Sequence, residues 1–137
     1  MRVCSGARLI LAYAMTESSL AGLINTIGFK MNGPNDLGFV CSLAEAKVVD
    51  VSNKCEFSLE QGYGELHIKS PGIALGYVDG EWGRIKPIAD ADGFYATGDL
   101  VNLNKNGSVN FIRRVSFVVK MKSGNYVDVE AVESALE

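Results

Sequence analysis

A mainly β fold closed by a single α-helix, an α+β arrangement, is what this 137-residue sequence predicts. Three observations lead there. Short runs that are β-branched or alternate apolar with polar side chains recur along the chain. Clusters of glycine, asparagine and proline separate them. One amphipathic run, Val129–Leu136, stands at the end.

In chain order, the apolar segment Arg8–Tyr13 reads as a buried strand that opens into a loop at Ala14–Ser19. Gly33-Pro34-Asn35-Asp36 is a dense turn signal. Ala46–Val51 (AKVVDV) and Gly64–Lys69 (GELHIK) have strand character. In the second, Glu65 and His67 share one face while Leu66 and Ile68 take the other. Phe94–Ala96, Leu100–Leu103 and Ser108–Ile112 are further short strands. Asn104–Gly107 joins the last two as a hairpin, because NKNG supplies residues that tolerate positive φ. Val118–Met121 is another strand candidate. In Val129–Leu136, apolar Val129, Val132 and Leu136 are interleaved with acids, and no helix stop signal precedes Glu137.

Composition bounds the function. Hydrophobic residues make up 47% and charged residues 21%, as in a globular domain. The net charge of −3 and a pI near 5.2 offer no basic field for nucleic acid, and no nucleic-acid partner is expected. Leu9–Ala14 is too short to span a bilayer. Three widely spaced cysteines, Cys4, Cys41 and Cys55, suit free thiols in a reducing compartment. The single histidine, His67, has no close cysteine or histidine neighbour with which to bind a metal.

Two places carry chemistry. Thr16 and Glu17 bring a hydroxyl and a carboxylate side by side, a pair that suits a magnesium–phosphate site but, taken alone, suits a helix cap better. In YATGDL, Gly98 lets the backbone turn and Asp99 is presented beside it. Such a carboxylate suits the hydroxyls of a ribose, or simply a β-turn.

Four stretches together are more specific than either alone. YAMTESS (Tyr13–Ser19), GELHIKSPGIALGY (Gly64–Tyr77), DADGFYATGDL (Asp90–Leu100) and FIRRVSFVVKMKSGNYVDVEAVE (Phe111–Glu133) follow one another at a characteristic spacing. They resemble the second half of the adenylate-forming, AMP-binding enzyme superfamily of acyl-CoA synthetases, luciferases and peptide-synthetase adenylation domains. The resemblance implies a small distorted β-barrel subdomain ending the large domain at residues 1–113, with glycines 64, 72 and 76 at its tight turns. The hinge and the start of a small C-terminal domain would occupy 114–137. It implies that Tyr13 lies on adenine, Thr16 contacts the α-phosphate and Glu17 binds Mg²⁺. Thr16 and Glu17 would thus be the catalytic pair, while Asp99 and Arg114 would hold the ribose. Ala14 stands where the family usually has glycine, and Ser116 at the hinge position usually held by Asp or Lys. Lys120 and Gly124 match the K-x-x-x-G-x-Y-(V/I) form of long-chain fatty acyl-CoA synthetases, beside the CoA path.

The implied activity is fatty acid:CoA ligation, with ATP, fatty acid and CoA as ligands and AMP and pyrophosphate as products. The alternative is a non-catalytic remnant or interaction domain. The family's Ser/Thr/Gly-rich phosphate loop would lie upstream of Tyr13 and its adenylation lysine beyond Glu137. The chain is therefore expected to be a segment of such an enzyme, inactive alone, with self-association through an exposed strand edge. The expected location is cytoplasmic or peripheral to an intracellular membrane.

Overall fold

The first strand, β1 (Ala12–Met15), reverses through Thr16 and Glu17 into β2 (Ser18–Ile24), and Met15 pairs with Ser18 across that two-residue turn. The expected strand at Arg8–Tyr13 begins outside the described residues, and its end and the expected loop at Ala14–Ser19 are corrected. Pairing with β2 carries the strand on to Met15, and only Thr16 and Glu17 remain in the turn. The computed structural model describes residues 10–24, 31, 33–51, 63–80, 83–120 and 126–128.

Nine more strands follow among the described residues: β3 (Asp36–Val40), β4 (Glu45–Val49), β5 (Tyr63–Lys69), β6 (Gly76–Asp79), β7 (Arg84–Pro87), β8 (Tyr95–Leu103), β9 (Val109–Arg114), β10 (Val118–Lys120) and β11 (Tyr126–Asp128). A 3-10 turn, Val115–Phe117, separates β9 from β10. Seven strands form one antiparallel sheet in the order β1-β2-β3-β9-β8-β5-β4, while β6-β7 and β10-β11 are two-stranded ribbons. The expected short strands Phe94–Ala96 and Leu100–Leu103 are one continuous strand, β8, because the residues between them bulge without leaving the ladder. The helix expected at Val129–Leu136 lies outside the described residues.

Alternation decides the core. Leu66 and Ile68 of β5 are buried while Glu65 and His67 face the other way, as their spacing predicts. With Leu23, Val48, Val101 and Val109 they form a single cluster. Each such side chain contributes about 1.5–3 kcal/mol by leaving water. The sheet curls to close over this cluster. A Cβ built on Gly22 of β2 would come 2.7 Å from Cδ1 of Ile68 on β5, although β3, β9 and β8 lie between them in the sheet. The segment after β5 also bonds back to β2. Ser18 bridges Ile73, and Ser19 N–H donates to the Gly72 carbonyl at 3.0 Å.

Two glycines differ from expectation. Gly64 is buried inside β5 rather than in a turn, and Gly76 opens β6. A Cβ on Gly76 would lie 2.1 Å from the Lys86 carbonyl oxygen, so close backbone approach, not turning, requires glycine there. The Asn104–Gly107 hairpin forms as expected. Gly107 sits at φ +86°, and Asn104 N–H donates to the Ser108 carbonyl at 2.8 Å.

Candidate functional site

The curl brings β1 and its turn toward the middle of β8. The Tyr13 hydroxyl on β1 donates to Asp99 Oδ2 on β8 at 2.5 Å. Asp99 is opposite Arg114 of β9 in the ladder, and Arg114 Nη1 donates to Asp99 Oδ1 at 2.7 Å and to the Thr97 carbonyl at 3.2 Å. Three of the predicted site residues therefore meet on one carboxylate. The Asp99 side chain is 7% exposed and that of Arg114 52%, so the acid lies at the bottom of the group and the guanidinium at its rim. Burial first, and then the bond to Asp99, pushes the Tyr13 phenol well above the ordinary tyrosine range. The same bond to Asp99 raises Arg114 further above its already high value.

A bulge in β8 aims Asp99. Glu65 and His67 on β5 pair with Leu100 and Ala96 on β8. Leu66 alone thus lies opposite Thr97, Gly98 and Asp99. Gly98 takes φ +75°, a left-handed conformation that favours glycine. Its N–H donates to Glu65 Oε1 at 3.0 Å. Asp99 N–H donates to Thr97 Oγ1 at 3.1 Å, and the Thr97 hydroxyl donates to the Leu66 carbonyl at 2.7 Å. The loop before β8 is fixed by Asp90, whose Oδ1 accepts from the N–H groups of Asp92 and Phe94. The bond from Phe94 is the main reason Asp90 is held below the usual carboxylate range.

Thr16 and Glu17 occupy the β1–β2 turn, with Thr16 exposed. The Tyr77 hydroxyl of β6 donates to Glu17 Oε1, and Ala74 N–H donates to the Glu17 carbonyl at 2.8 Å. Tyr77 is the main reason Glu17 is held below the ordinary glutamate range, and the Arg114 charge adds a smaller pull in the same direction. The bond to Glu17 likewise raises Tyr77, with a further contribution from Tyr95. Arg114 therefore acts electrostatically on both the Asp99 group and the Glu17 turn. Among the described residues, no group of three or more His, Cys, Asp or Glu side chains could hold a metal ion.

The remaining site predictions fall further along. Ser116 is exposed in the 3-10 turn directly after β9. Lys120 ends β10, which pairs with β11, and Gly124 lies outside the described residues. Sequence reasoning overlooked Tyr77, Thr97 and Glu65 as parts of this site. Glu65 alone left a usable signal, a carboxylate on the outward face of a strand next to the glycine-rich motif. A concavity of about 420 Å³ lined by Asn35, Tyr63, Asn102, Asn110, Phe111 and Ile112 sits elsewhere on the ladder and contains none of the predicted site residues.

The chain is similar to long chain acyl-CoA synthetase 6, peroxisomal, of Arabidopsis thaliana, at 32% identity over 98% of this chain and 19% of that protein. Long-chain-fatty-acid–CoA ligase 6 of Rattus norvegicus is 28% identical over 98% of this chain and 19% of its own length. The chain spans about a fifth of the length of these curated relatives. Among solved structures, ATP-bound MatB from Rhodopseudomonas palustris superposes with a TM-score of 0.75 at 25% identity, covering 97% of this chain and 25% of that one. The anthranilate CoA ligase AuaEII in complex with anthranoyl-AMP gives 0.70 at 24% identity, over 98% of this chain and 25% of its own. The family described as AMP-binding enzyme matches residues 1–78, more than half of the 137, and the chain belongs to that family.

Proposed function

We propose that the chain contributes the nucleotide and magnesium contacts of a long-chain fatty acid:CoA ligase, which converts ATP, fatty acid and CoA to acyl-CoA, AMP and pyrophosphate. The observation that carries this reading is the Asp99 carboxylate, buried at the base of the group with its two oxygens accepting from two separate donors. Two adjacent ribose hydroxyls offer the same donor pattern. In this reading Asp99 holds the ribose, Arg114 approaches the same sugar from the rim, and the Tyr13 ring lies on adenine. Thr16 contacts the α-phosphate where the fatty-acid carboxylate attacks and pyrophosphate leaves. The CoA thiol then displaces AMP. The chain's part is positioning and charge stabilisation at that phosphate.

Glu17 fits a magnesium ion held mainly by phosphate oxygens, since it is a single half-buried turn carboxylate kept below its usual pKa. Magnesium, when bound, neutralises charge on the ATP phosphates. Ser116 is the hinge in this reading, and Lys120 and Gly124 border the path of CoA. The names of the similar long-chain synthetases support the substrate class.

The second reading, a non-catalytic interaction domain, draws on the same carboxylate. Tyr13 and Arg114 already satisfy both Asp99 oxygens within the chain. Calorimetry with AMP and with ATP·Mg²⁺ separates the two. Saturable uptake supports the ligase reading. A flat titration supports the interaction domain.

A further inference from the structure

We propose that Glu65 is a positioning residue for the nucleotide site, its carboxylate holding the β8 bulge that aims Asp99 at Tyr13 and Arg114. The inference rests on the nucleotide reading of Asp99 but has its own readout. Three residues of β8, Thr97, Gly98 and Asp99, stand against the single residue Leu66 of β5, so the bulge takes backbone N–H groups out of the ladder. A buried N–H must find another acceptor. Gly98 finds one in Glu65 Oε1 at 3.0 Å, and Asp99 in Thr97 Oγ1 at 3.1 Å. The Thr97 hydroxyl then satisfies the Leu66 carbonyl at 2.7 Å. Side chains thus replace the ladder bonds that the bulge removes.

Glu65 is well placed for this. It belongs to β5 rather than to the bulged strand, so it ties the bulge to a neighbour whose own register is fixed by β4. Its side chain is 22% exposed, and its second oxygen lies 3.5 Å from Nε2 of His67. Neither ring nitrogen of His67 has a hydrogen-bond partner, so that contact confines the carboxylate without drawing it away from Gly98. Without Glu65 the Gly98 N–H has no acceptor, and the strand is free to slip toward regular pairing. The bulge carries two residues more than its partner, so regular pairing moves this stretch of β8 two positions along β5 and carries Asp99 along the strand. Asp99 would then leave the Tyr13 hydroxyl and the Arg114 guanidinium.

The test compares Glu65→Ala with Glu65→Gln, which keeps a carbonyl oxygen for the Gly98 N–H. The ionisation of Tyr13 is followed by NMR of ¹³C-labelled tyrosine, assigned with Tyr13→Phe. The Tyr13 phenol should ionise at a lower pH in Glu65→Ala than in the wild type, and Glu65→Gln should match the wild type. AMP affinity should fall about tenfold in Glu65→Ala and hold in Glu65→Gln. A folded Glu65→Ala protein with wild-type Tyr13 ionisation overturns the proposal. If the wild type takes up no AMP while Glu65→Ala still releases Tyr13, the positioning role stands and the nucleotide reading falls. Should Glu65→Ala not fold, the Gly98 amide proton of the wild type decides. A shift that follows carboxylate ionisation and is altered in Glu65→Gln supports the bond, and an indifferent one overturns it.

Discussion

Arg114 stands directly across the β8–β9 ladder from Asp99, and its Nη1 donates to the carboxylate at 2.7 Å. The pair is lopsided, with the acid 7% and the guanidinium 52% exposed at the side chain. Solvent screens the exposed partner, so the pair adds little to stability. Its consequence is orientation. The carboxylate is fixed from one side by Arg114 and from the other by Tyr13.

Asp99→Ala should weaken AMP binding by about 1–3 kcal/mol, the scale of lost hydrogen bonds to a charged group. The core cluster does not include Asp99, so the fold should survive. Calorimetry with AMP, alongside circular dichroism, measures both. Unchanged affinity in a folded variant would remove Asp99 from the site.

Tyr13→Phe retains the ring and deletes the bond to Asp99. Burial first, and then that bond, raises the phenol above its ordinary value, so the stabilisation that depends on its proton is fully present below about pH 10. It is lost as pH rises from there through the folded value. The stability gap between wild type and Tyr13→Phe should therefore be constant from neutral pH to about pH 10 and narrow above it. Thermal unfolding midpoints across that range test it, and a gap that widens at alkaline pH contradicts the assignment.

Tyr77→Phe should let the Glu17 carboxyl rise toward its ordinary range, since Tyr77 is the main group holding it down. The sign of the linkage follows. Glu17's contribution is present above the unfolded glutamate value, near 4.5, and is lost as pH falls through the lowered folded value. NMR titration of the Glu17 side chain in the two proteins gives the comparison. Identical midpoints would mean that the hydroxyl does not engage the turn.

Two glycine replacements should differ in cost. Gly98→Ala places a Cβ 3.5 Å from Arg114 Nη2, an ordinary contact, so the penalty is that of φ +75°, about 1–2 kcal/mol. Gly76→Ala drives a Cβ to 2.1 Å from the Lys86 carbonyl oxygen and must part β6 from β7. Denaturant unfolding should show Gly98→Ala to be cooperative but weaker. The Gly76→Ala damage should be confined to the β6–β7 ribbon, visible as lost amide protection there.

Local chemistry made several features legible from the chain alone. Period-two alternation sorted Leu66 and Ile68 inward from Glu65 and His67 outward, because a strand's faces are set residue by residue. The NKNG run announced its hairpin, since left-handed backbone has few willing residues. Motif residues Tyr13, Asp99 and Arg114 were recognisable as a set, and the fold brings them together. Other elements escaped. The strands β2, β3, β6, β7 and β11 lack clear alternation or sit beside turn-forming residues, and pairing with neighbours overrides their weak propensity. Tyr13 and Asp99 are 86 residues apart and Tyr77 and Glu17 60, and no local pattern encodes such meetings. They arise because the sheet curls until β2 rests on β5, and because β8 inserts three residues where β5 has one. Periodicity records which way a side chain points. Which distant partner it then meets depends on strand order, register and bulges, and those are settled by burial and hydrogen-bond satisfaction across the whole sheet.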